Sequence, residues 1–304
     1  MSQRPRLYPF DILLIGYCLL MVVLILFFGR PFNEYFDEIS VYLSMAAIVA
    51  VIVRFVDESL SPVHRFVRLL YPMLLFTLMY RETGGMMFLI FDRFFDPQIV
   101  AFESRLLGLE PTLFIDRHLL STWLTELFSA CYLSYYFMIP GFLIPLFFLN
   151  QTRIIRRSLT AMSMTFFISF LMFSIFPVEG PRYHFAGQYL HTVEGPLFRR
   201  MVSGVIDLAA VRGGCMPSSH VGVALLVLAY TFKVSRKAGW LLLPINLGLA
   251  IGTVWGRFHS VSDVLVGAAI GLGAVWFVEK FYDRWTGPIV TSDNMPIMSE
   301  THAT

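Results

Sequence analysis

Charged residues are scarce in this chain, since Asp, Glu, Lys and Arg together make up only 14% of its 304 residues. Soluble globular domains carry about 25% charged residues, and so few charges could not coat a water-soluble surface of this size. Apolar and aromatic residues make up 57% of the chain, which indicates a protein with several membrane spans. The net charge of +2 is too small to indicate a nucleic-acid partner.

Cysteine is also scarce, and the three that occur are Cys18, Cys131 and Cys215. Their spacing resembles neither a zinc site nor a disulfide framework. Cys18 and Cys131 lie in apolar runs, whereas Cys215 lies in a loop. We therefore expect two packing residues and one incidental thiol.

Long apolar runs dominate the chain, and each is near the roughly 20 residues that a helix needs to cross a bilayer. Eight are found, at 10–28, 39–56, 68–91, 121–149, 158–176, 217–233, 239–256 and 260–281. The first is too long for the core of a signal peptide, so we expect it to be retained as a span. The third is interrupted at 81–85, which predicts a short span followed by a re-entrant or interfacial piece. The pattern predicts an all-α, polytopic membrane bundle of about eight transmembrane helices.

Lysine and arginine cluster in alternate connections between these runs, at 54–68, 153–157 and 233–237. Most acids lie in the opposite connections, which include the long stretches 92–120 and 177–216. Because cytoplasmic loops carry an excess of Lys and Arg, both termini are predicted to be cytoplasmic and the long connections exoplasmic. The first long stretch mixes apolar residues with spaced charges, which is typical of an amphipathic segment at the interface.

Residues 213–220, here called the Ser-Ser-His segment, read Gly-Gly-Cys-Met-Pro-Ser-Ser-His and precede an apolar run. This pattern predicts the start of a helix, where Pro217 is tolerated and where Ser218 or Ser219 can cap the chain. The free N–H groups of a helix start attract anions. His220 falls within this first turn, so we predict that it lies beside a bound anion.

Residues 255–263, here called the His-Asp segment, contain a histidine and a carboxylate four positions apart. On a helix, His259 and Asp263 would share one face. The carboxylate could accept one imidazole N–H, fix the tautomer and leave the other nitrogen free to attack a substrate. The predicted spans put both segments at the same membrane face, so His220, His259 and Asp263 are expected to converge.

Arginines accompany these segments on the same side of the membrane. Residues 176–184, here called the Pro-Arg segment, end the fifth span and contain Arg182, and Arg257 lies two residues before His259. A guanidinium group is a rigid donor suited to phosphate, so both arginines are candidates to bind one. Arg81, at the break in the third run, is a more speculative candidate.

Simpler explanations stay open for each of these groups. Arg182 and Arg257 could anchor lipid headgroups, and Arg81 could pair with Glu82. A metal site built from the two histidines and Asp263 is disfavoured, because the nearby arginines would repel a cation.

The two histidine-containing segments resemble signatures of the type 2 phosphatidic acid phosphatase superfamily. Pro217-Ser-Ser-His220 is similar to its usual Pro-Ser-Gly-His, and His259 followed by Asp263 is similar to its third signature. The resemblance implies that His259 is a nucleophile which forms a phosphohistidine, that Asp263 orients it and that His220 protonates the leaving group. It also implies that Ser218 and Ser219 help to hold the phosphate and that no metal or other cofactor takes part.

The chain also departs from the usual signatures. The third normally has an arginine six residues before its histidine, where this chain has Thr253, and the first normally has a lysine where this chain has Ile175. These departures, together with the stretches 109–114 and 134–136, resemble the branch of inositol phosphorylceramide synthase, whose members include phosphotransferases. The specific resemblance covers about 170–281.

The resemblance implies a six-helix catalytic core with further spans before it. We predict N-terminal spans and an interfacial segment over 1–120, a phosphatase-like or phosphotransferase-like membrane domain over 121–285, and a disordered tail over 286–304. The expected substrate is a phospholipid, isoprenoid or sphingolipid phosphate or diphosphate drawn from the membrane. The phosphoryl group or phospho-headgroup would pass to water or to a hydroxyl acceptor. The alternative is a protein without enzymatic activity that binds or transports an anionic lipid.

Overall fold

The structure is a computed structural model that describes residues 7–29 and 32–286. Over these residues the chain is built of helices joined by short connections, which confirms the predicted all-α membrane bundle. The predicted disordered tail lies, apart from Thr286, outside the described residues. The helices are α1 Pro9–Phe28, α2 Phe36–Phe55, α3 Pro62–Glu82, α4 Asp96–Leu107, α5 Pro111–His118, α6 Thr122–Leu133, α7 Tyr135–Phe148, α8 Thr152–Ile175, α9 Pro181–His184, α10 Phe198–Ala209, α11 Ser219–Val234, α12 Arg236–Trp255 and α13 Val261–Thr286.

Six helices of the described chain are long and apolar enough to cross a membrane, so the protein is an integral, multi-pass membrane protein. They are α1, α2, the run Thr122–Phe148 formed by α6 and α7, α8, α12 and α13. The predicted count of eight is not confirmed. The apolar helix α11 is shorter, with 16 residues. Helix α3 is not among the six and ends at Glu82, after which turns begin.

Helix α8 forms the centre of the bundle and packs against α1, α3, α7, α11 and α13. It buries a row of hydroxyl side chains along its length, including Thr160, Thr165 and Ser169. Each of these three donates a hydrogen bond, at 2.8–2.9 Å, to the carbonyl four residues earlier in the same helix. These three hydroxyls are therefore satisfied within α8, and their small size lets neighbouring helices approach it closely.

Helices α11 and α13, which carry the two histidine-containing segments at their starts, meet backbone to backbone. A Cβ atom added to Gly271 would collide with the carbonyl group of Gly222, and one added to Gly267 would collide with the backbone of Ser218. Glycine is required at such close crossings because any side chain would separate the helices. This seam brings the starts of α11 and α13 together, and the candidate site lies there.

The predicted interfacial segment 92–120 forms α4 and α5. Its charges differ from those of a helix that only lies on a membrane surface, because Asp96, Glu103 and Asp116 are all buried. Helix α4 also packs on α13. The division into domains at residue 120 stays a prediction.

Candidate active site

Backbone hydrogen bonds join the three predicted segments to one another. The Pro-Arg and Ser-Ser-His segments are joined by Val178, whose N–H donates to Gly213 O at 2.9 Å and whose carbonyl accepts from Cys215 N at 3.1 Å. The Pro-Arg and His-Asp segments are joined by Arg182 N and Arg257 O, at 2.9 Å. The Ser-Ser-His and His-Asp segments are joined by a bond of 2.9 Å from the N–H of Ser218 to the carbonyl of Asp263. The site therefore has a continuous main-chain framework.

The two histidines face each other across this framework. Their ring centroids are 5.7 Å apart, with 58° between the ring planes. His220 lies in the first turn of α11, where Ser218 is the N-cap and accepts a hydrogen bond from Val221 N at 3.4 Å. His259 lies two residues before α13. The predicted convergence of the two side chains is thus seen in the structure.

The His259 ring is held mainly by a main-chain carbonyl. Its Nδ1 lies 2.9 Å from Cys215 O and 3.6 Å from an oxygen of Asp263. The Asp263 carboxylate is fully buried and accepts a hydrogen bond from Ser260 N at 2.8 Å. Because a carbonyl can only accept, Nδ1 carries the proton and Nε2 keeps its lone pair. Sequence reasoning expected the carboxylate as the direct acceptor and gave Cys215 no part in the site.

The thiol of Cys215 is also part of this framework. Its sulfur lies 3.2 Å from Glu179 O and 3.4 Å from Phe258 O, so it bridges the Pro-Arg and His-Asp segments. Burial, followed by the negative charges of Asp263 and other acids, raises the pKa of Cys215. Gly180 adopts a positive φ of 88° beside it, and an added Cβ there would lie 2.5 Å from the Cys215 sulfur. The thiol is thus a packing group held in its neutral form.

A cage of tyrosines surrounds His220. The hydroxyl of Tyr132 lies 3.2 Å from its Nε2, and the rings of Tyr132 and Tyr135 lie 5.2 Å and 4.4 Å from the imidazole. In the described chain, Nδ1 of His220 is buried without a hydrogen-bond partner. The ring therefore keeps one nitrogen with hydrogen-bonding capacity to spare. Sequence analysis noted the stretch 134–136 only as part of a resemblance, because tyrosine in an apolar run indicates packing or an interface belt.

The predicted arginines occupy different surroundings. The guanidinium of Arg257 is mostly buried and donates to Asp116 at 2.7 Å and to His191 O at 2.8 Å. It also lies over the ring of Tyr189, 3.6 Å from the ring centre. Burial lowers the pKa of Arg257, while Tyr189 and Asp116 act in the opposite direction. Arg182 is more exposed and is paired with an acid of α10 at 3.3 Å.

Of the other predicted phosphate ligands, only some lie in the site. Arg81 is exposed at the end of α3, and no hydrogen bond or ion pair of the described residues joins it to the histidines. Ser218 uses its side chain as the N-cap of α11. Ser219 is buried and lines a cavity together with His220. The two serines are thus in the site, and Arg81 is not among the residues that the fold gathers there.

Three buried acids of α4 and α5 hold the backbone of the site. Asp96 accepts hydrogen bonds from Glu179 N and Gly180 N at 2.9 Å and 2.8 Å. Glu103 accepts from Ser262 N, and Asp116 accepts from the N–H groups of the loop 190–191 as well as from Arg257. Sequence reasoning used these acids only to orient the chain in the membrane. Their spacing contains no signal of their partners, which lie far away in the chain.

A cavity of about 370 Å³ opens beside the histidines, within the range of pockets that bind small molecules. Helices α3, α7 and α10 supply apolar side chains such as Phe76, Ile139 and Val205, and tyrosines supply hydroxyl groups. Ser219 and His220 also line it. The arrangement sets an apolar chamber directly against a polar reaction centre.

Comparison with known proteins identifies the family of the chain. Residues 97–277 match the family model of the PAP2 superfamily. A PA-phosphatase related-family protein of Dictyostelium discoideum is 30% identical over 105 residues, which are 33% of this chain but only 19% of that relative. No solved structure matches. Because the family model covers more than half of the chain, the protein belongs to the PAP2 superfamily, whose members are generally phosphatases or phosphotransferases.

Proposed function

We propose that the protein transfers a phosphoryl group from a lipid phosphate or diphosphate through a covalent phosphohistidine on His259. The observation that carries this proposal is the 5.7 Å separation of the His220 and His259 rings. At that distance one phosphate can touch both imidazoles, one as nucleophile and the other as acid. Membership in the PAP2 superfamily supports the same class of reaction.

In the first step, Nε2 of His259 attacks phosphorus and the bond from phosphorus to the leaving oxygen breaks. His220, in its protonated form, gives a proton to that oxygen and becomes neutral. The buried carboxylate of Asp263, 3.6 Å from Nδ1, stabilises the positive charge that the attacking ring acquires. Arg182 and Arg257 would neutralise the phosphoryl oxygens, and Ser218 and the α11 N–H groups would add donors.

In the second step, water or a hydroxyl group attacks the phosphohistidine and gives its proton to His220, which restores both histidines. The departures at Thr253 and Ile175 favour a hydroxyl acceptor, as in the inositol phosphorylceramide synthase branch. Thr253 is fully buried, and its carbonyl accepts hydrogen bonds from Phe258 N and His259 N at the end of α12. Because this position holds no arginine, this chain needs its cations from other segments.

The apolar cavity beside His220 supports a lipid substrate. A chain of methylene groups entering between α3, α7 and α10 would be removed from water, which favours binding by about 0.8 kcal/mol for each buried CH₂. The phosphate would then lie at the polar end of the cavity, near His220. A polar phosphate ester without such a chain would lose this contribution.

The arrangement of basic connections supports a site on the exoplasmic side of the membrane, with both termini cytoplasmic. Single cysteines at two exposed positions would test this orientation. We expect that Gln188→Cys in intact cells reacts with a membrane-impermeant thiol reagent and that Lys237→Cys reacts only after lysis. The reverse pattern would rule out the proposed sidedness without affecting the proposed chemistry.

Trapping of the intermediate tests the mechanism. The purified full-length chain would be mixed with ³²P-labelled phosphatidic acid, a sphingoid-base phosphate and an isoprenyl diphosphate, each with and without an acceptor alcohol, and then quenched in alkali. We expect acid-labile, alkali-stable label on the wild type and on His118→Ala, an exposed histidine of α5 that lies outside the site. His259→Ala should carry none. Undiminished label on His259→Ala, or unlabelled wild type with all three donors, would disprove the mechanism.

The same experiment separates the enzyme from a lipid transporter. A protein that only binds or moves an anionic lipid would keep its function in His259→Ala and would release no phosphate. Counting released phosphate against added acceptor alcohol then distinguishes hydrolysis from transfer.

A further inference from the structure

Helix α10 carries a cation that is not balanced by a carboxylate. Nε and Nη1 of Arg199 are buried and have no hydrogen-bond partner in the part of the chain that the structure describes. The guanidinium lies over the ring of Phe258, 5.1 Å from the ring centre. The N–H groups of a buried guanidinium normally have acceptors, because a buried donor without an acceptor is unfavourable.

The acids near Arg199 are engaged elsewhere. Glu126 accepts hydrogen bonds from the backbone N–H groups of Leu197, Phe198 and Arg199, at 2.9–3.2 Å, and so caps the start of α10. Asp207, on the same helix, pairs with Arg182 at 3.3 Å. Neither carboxylate forms an ion pair with the Arg199 guanidinium. The guanidinium thus has no paired carboxylate among the described residues, and the charge of Asp207 compensates it only from a distance.

Other cations add to this imbalance. Burial, and then the positive charges of Arg182 and Arg257, lower the pKa of Arg199 to about 10. The guanidinium remains charged at neutral pH, next to two groups of the same sign. Such a cluster is unfavourable for the empty protein and favourable for an anion placed among the three cations.

Arg199 packs against the segment that carries His259. The ring beneath its guanidinium belongs to Phe258, the residue immediately before His259. That ring lies 4.8 Å from the ring of Tyr132, whose hydroxyl contacts His220. One packed row therefore connects Arg199 to the segments of both histidines.

We propose that Arg199 binds the phosphoryl group of the substrate and supplies a cation that the His-Asp segment lacks at Thr253. This inference rests on the proposed function, since it assigns a ligand to the same site. Arg182, Arg199 and Arg257 then surround the phosphate from three parts of the chain. When the phosphate binds, the buried N–H groups of Arg199 that lacked acceptors form charge-assisted hydrogen bonds to its oxygens.

The test compares Arg199→Gln with Arg200→Gln, which alters the exposed neighbouring arginine, in the purified full-length chain. The probes are orthovanadate and inorganic phosphate, measured by calorimetry and by inhibition of lipid phosphate turnover. We expect Arg199→Gln to weaken the binding of both probes by at least about tenfold and to lower kcat/KM by a similar factor. Arg199→Lys, which keeps the charge, should lose less, and Arg200→Gln should match the wild type within about twofold.

Two results would overturn the inference. The first is probe affinity in Arg199→Gln within about twofold of wild type. The second is no binding of either probe by the wild type. Folding of each variant is checked by its elution as a monodisperse species and by its unfolding midpoint, so a collapsed variant is recognised and replaced by Arg199→Lys in the comparison.

The calorimetric arm also separates this inference from the mechanism. If the wild type binds phosphate, Arg199→Gln does not, and no phosphohistidine can be trapped, the site assignment stands and the covalent mechanism fails. If phosphohistidine forms on His259 while Arg199→Gln binds vanadate normally, only the assignment of Arg199 fails.

Discussion

Charged side chains have different partners at the two ends of the helix bundle. At the distal end, defined by the start of α8 and the end of α13, carboxylates neutralise cations. There Arg156 pairs with Glu58 at 2.7 Å, and Arg157 pairs with Asp283 at 2.7 Å. At the site end, defined by the starts of α11 and α13, buried acids mostly hold backbone N–H groups, and Arg199 has no carboxylate partner among the described residues.

The difference follows from what each end must do. A buried charge is tolerated when a partner satisfies it, so paired arginines at the distal end serve the stability of the bundle. A site that binds an anion needs cations with N–H groups available to the anion. The protein partners of those N–H groups must either release them or never occupy them. The acids at the site end therefore stabilise loops and helix starts, and among the described residues they leave Arg199 without a carboxylate partner and so able to attract the substrate.

Breaking the best-buried pair at the distal end should have the largest effect. Asp11 is fully buried, accepts hydrogen bonds from Arg68 and from Tyr71, and caps α1 through Tyr8 N. We expect Asp11→Ala to lower the free energy of unfolding by about 3–5 kcal/mol, because Arg68 then remains buried without its anion. The measurement is denaturant unfolding in detergent. Asp11→Ala combined with Arg68→Met should recover most of the loss, and no recovery would show that charge burial is not its cause.

Widening the seam that connects the two ends should have the next largest effect. Gly271→Ala forces its new methyl group into the backbone of Gly222, and we expect the free energy of unfolding to fall by about 2 kcal/mol. Gly273→Ala is the matched control, because a Cβ there meets nothing within 4 Å. Activity should fall in Gly271→Ala alone, since α11 and α13 set the spacing of the histidines. Equal behaviour of the two variants in unfolding would contradict the proposed close crossing.

Removing the charge of an acid that both holds backbone N–H groups and pairs with an arginine should lower activity. Asp116 holds the loop 190–191 through backbone N–H groups and also pairs with Arg257. We expect Asp116→Asn to lower kcat/KM about tenfold, because the uncharged amide orients the guanidinium less firmly. Steady-state kinetics on the donor that labels His259 measures this. Asp37→Asn, at an exposed position of α2, is the control, and the same kcat/KM in both variants would leave Arg257 without a role in turnover.

Removing the unpaired cation should give the smallest effect, with the opposite sign. In phosphate-free buffer we expect Arg199→Gln to raise the free energy of unfolding by about 1 kcal/mol, because it relieves repulsion from Arg182 and Arg257. Saturating phosphate should stabilise the wild type and reduce this gap. Unfolding midpoints at one fixed scan rate test it. A variant that is less stable than the wild type in phosphate-free buffer would show that Arg199 serves packing, as the distal arginines do.

The predictable part of the site was the part encoded within single segments. His220 follows a proline and two serines at a helix start, and His259 lies four residues before Asp263, so each local pattern contains its own signal. The superfamily inferred from these patterns is confirmed, whereas the branch stays a proposal. The membrane bundle is confirmed too, because apolar runs report burial in lipid. The count of eight spans is not, because α3 is not among the six candidate spans and α11 has only 16 residues.

Contacts across the chain had no such local signal. Asp96 holds residues 83 and 84 positions away, and Glu103 holds Ser262 at a separation of 159. The local sequence does not distinguish an acid that binds the backbone of a remote loop from an acid at a membrane surface. For the same reason Arg199 and its exposed neighbour Arg200 cannot be told apart in the printed sequence, although only Arg199 packs over Phe258, next to His259.

Local residue patterns were thus sufficient for the helical, membrane-embedded architecture and for the two histidines, because hydrophobic runs and helix starts depend on neighbours in the chain. The tertiary structure alone decided which acids neutralise arginines and which hold backbone N–H groups. It also decided that Cys215 O, rather than the Asp263 carboxylate, lies nearest to Nδ1 of His259. These outcomes depend on which groups lose water together when the helices pack, and that depends on the whole fold.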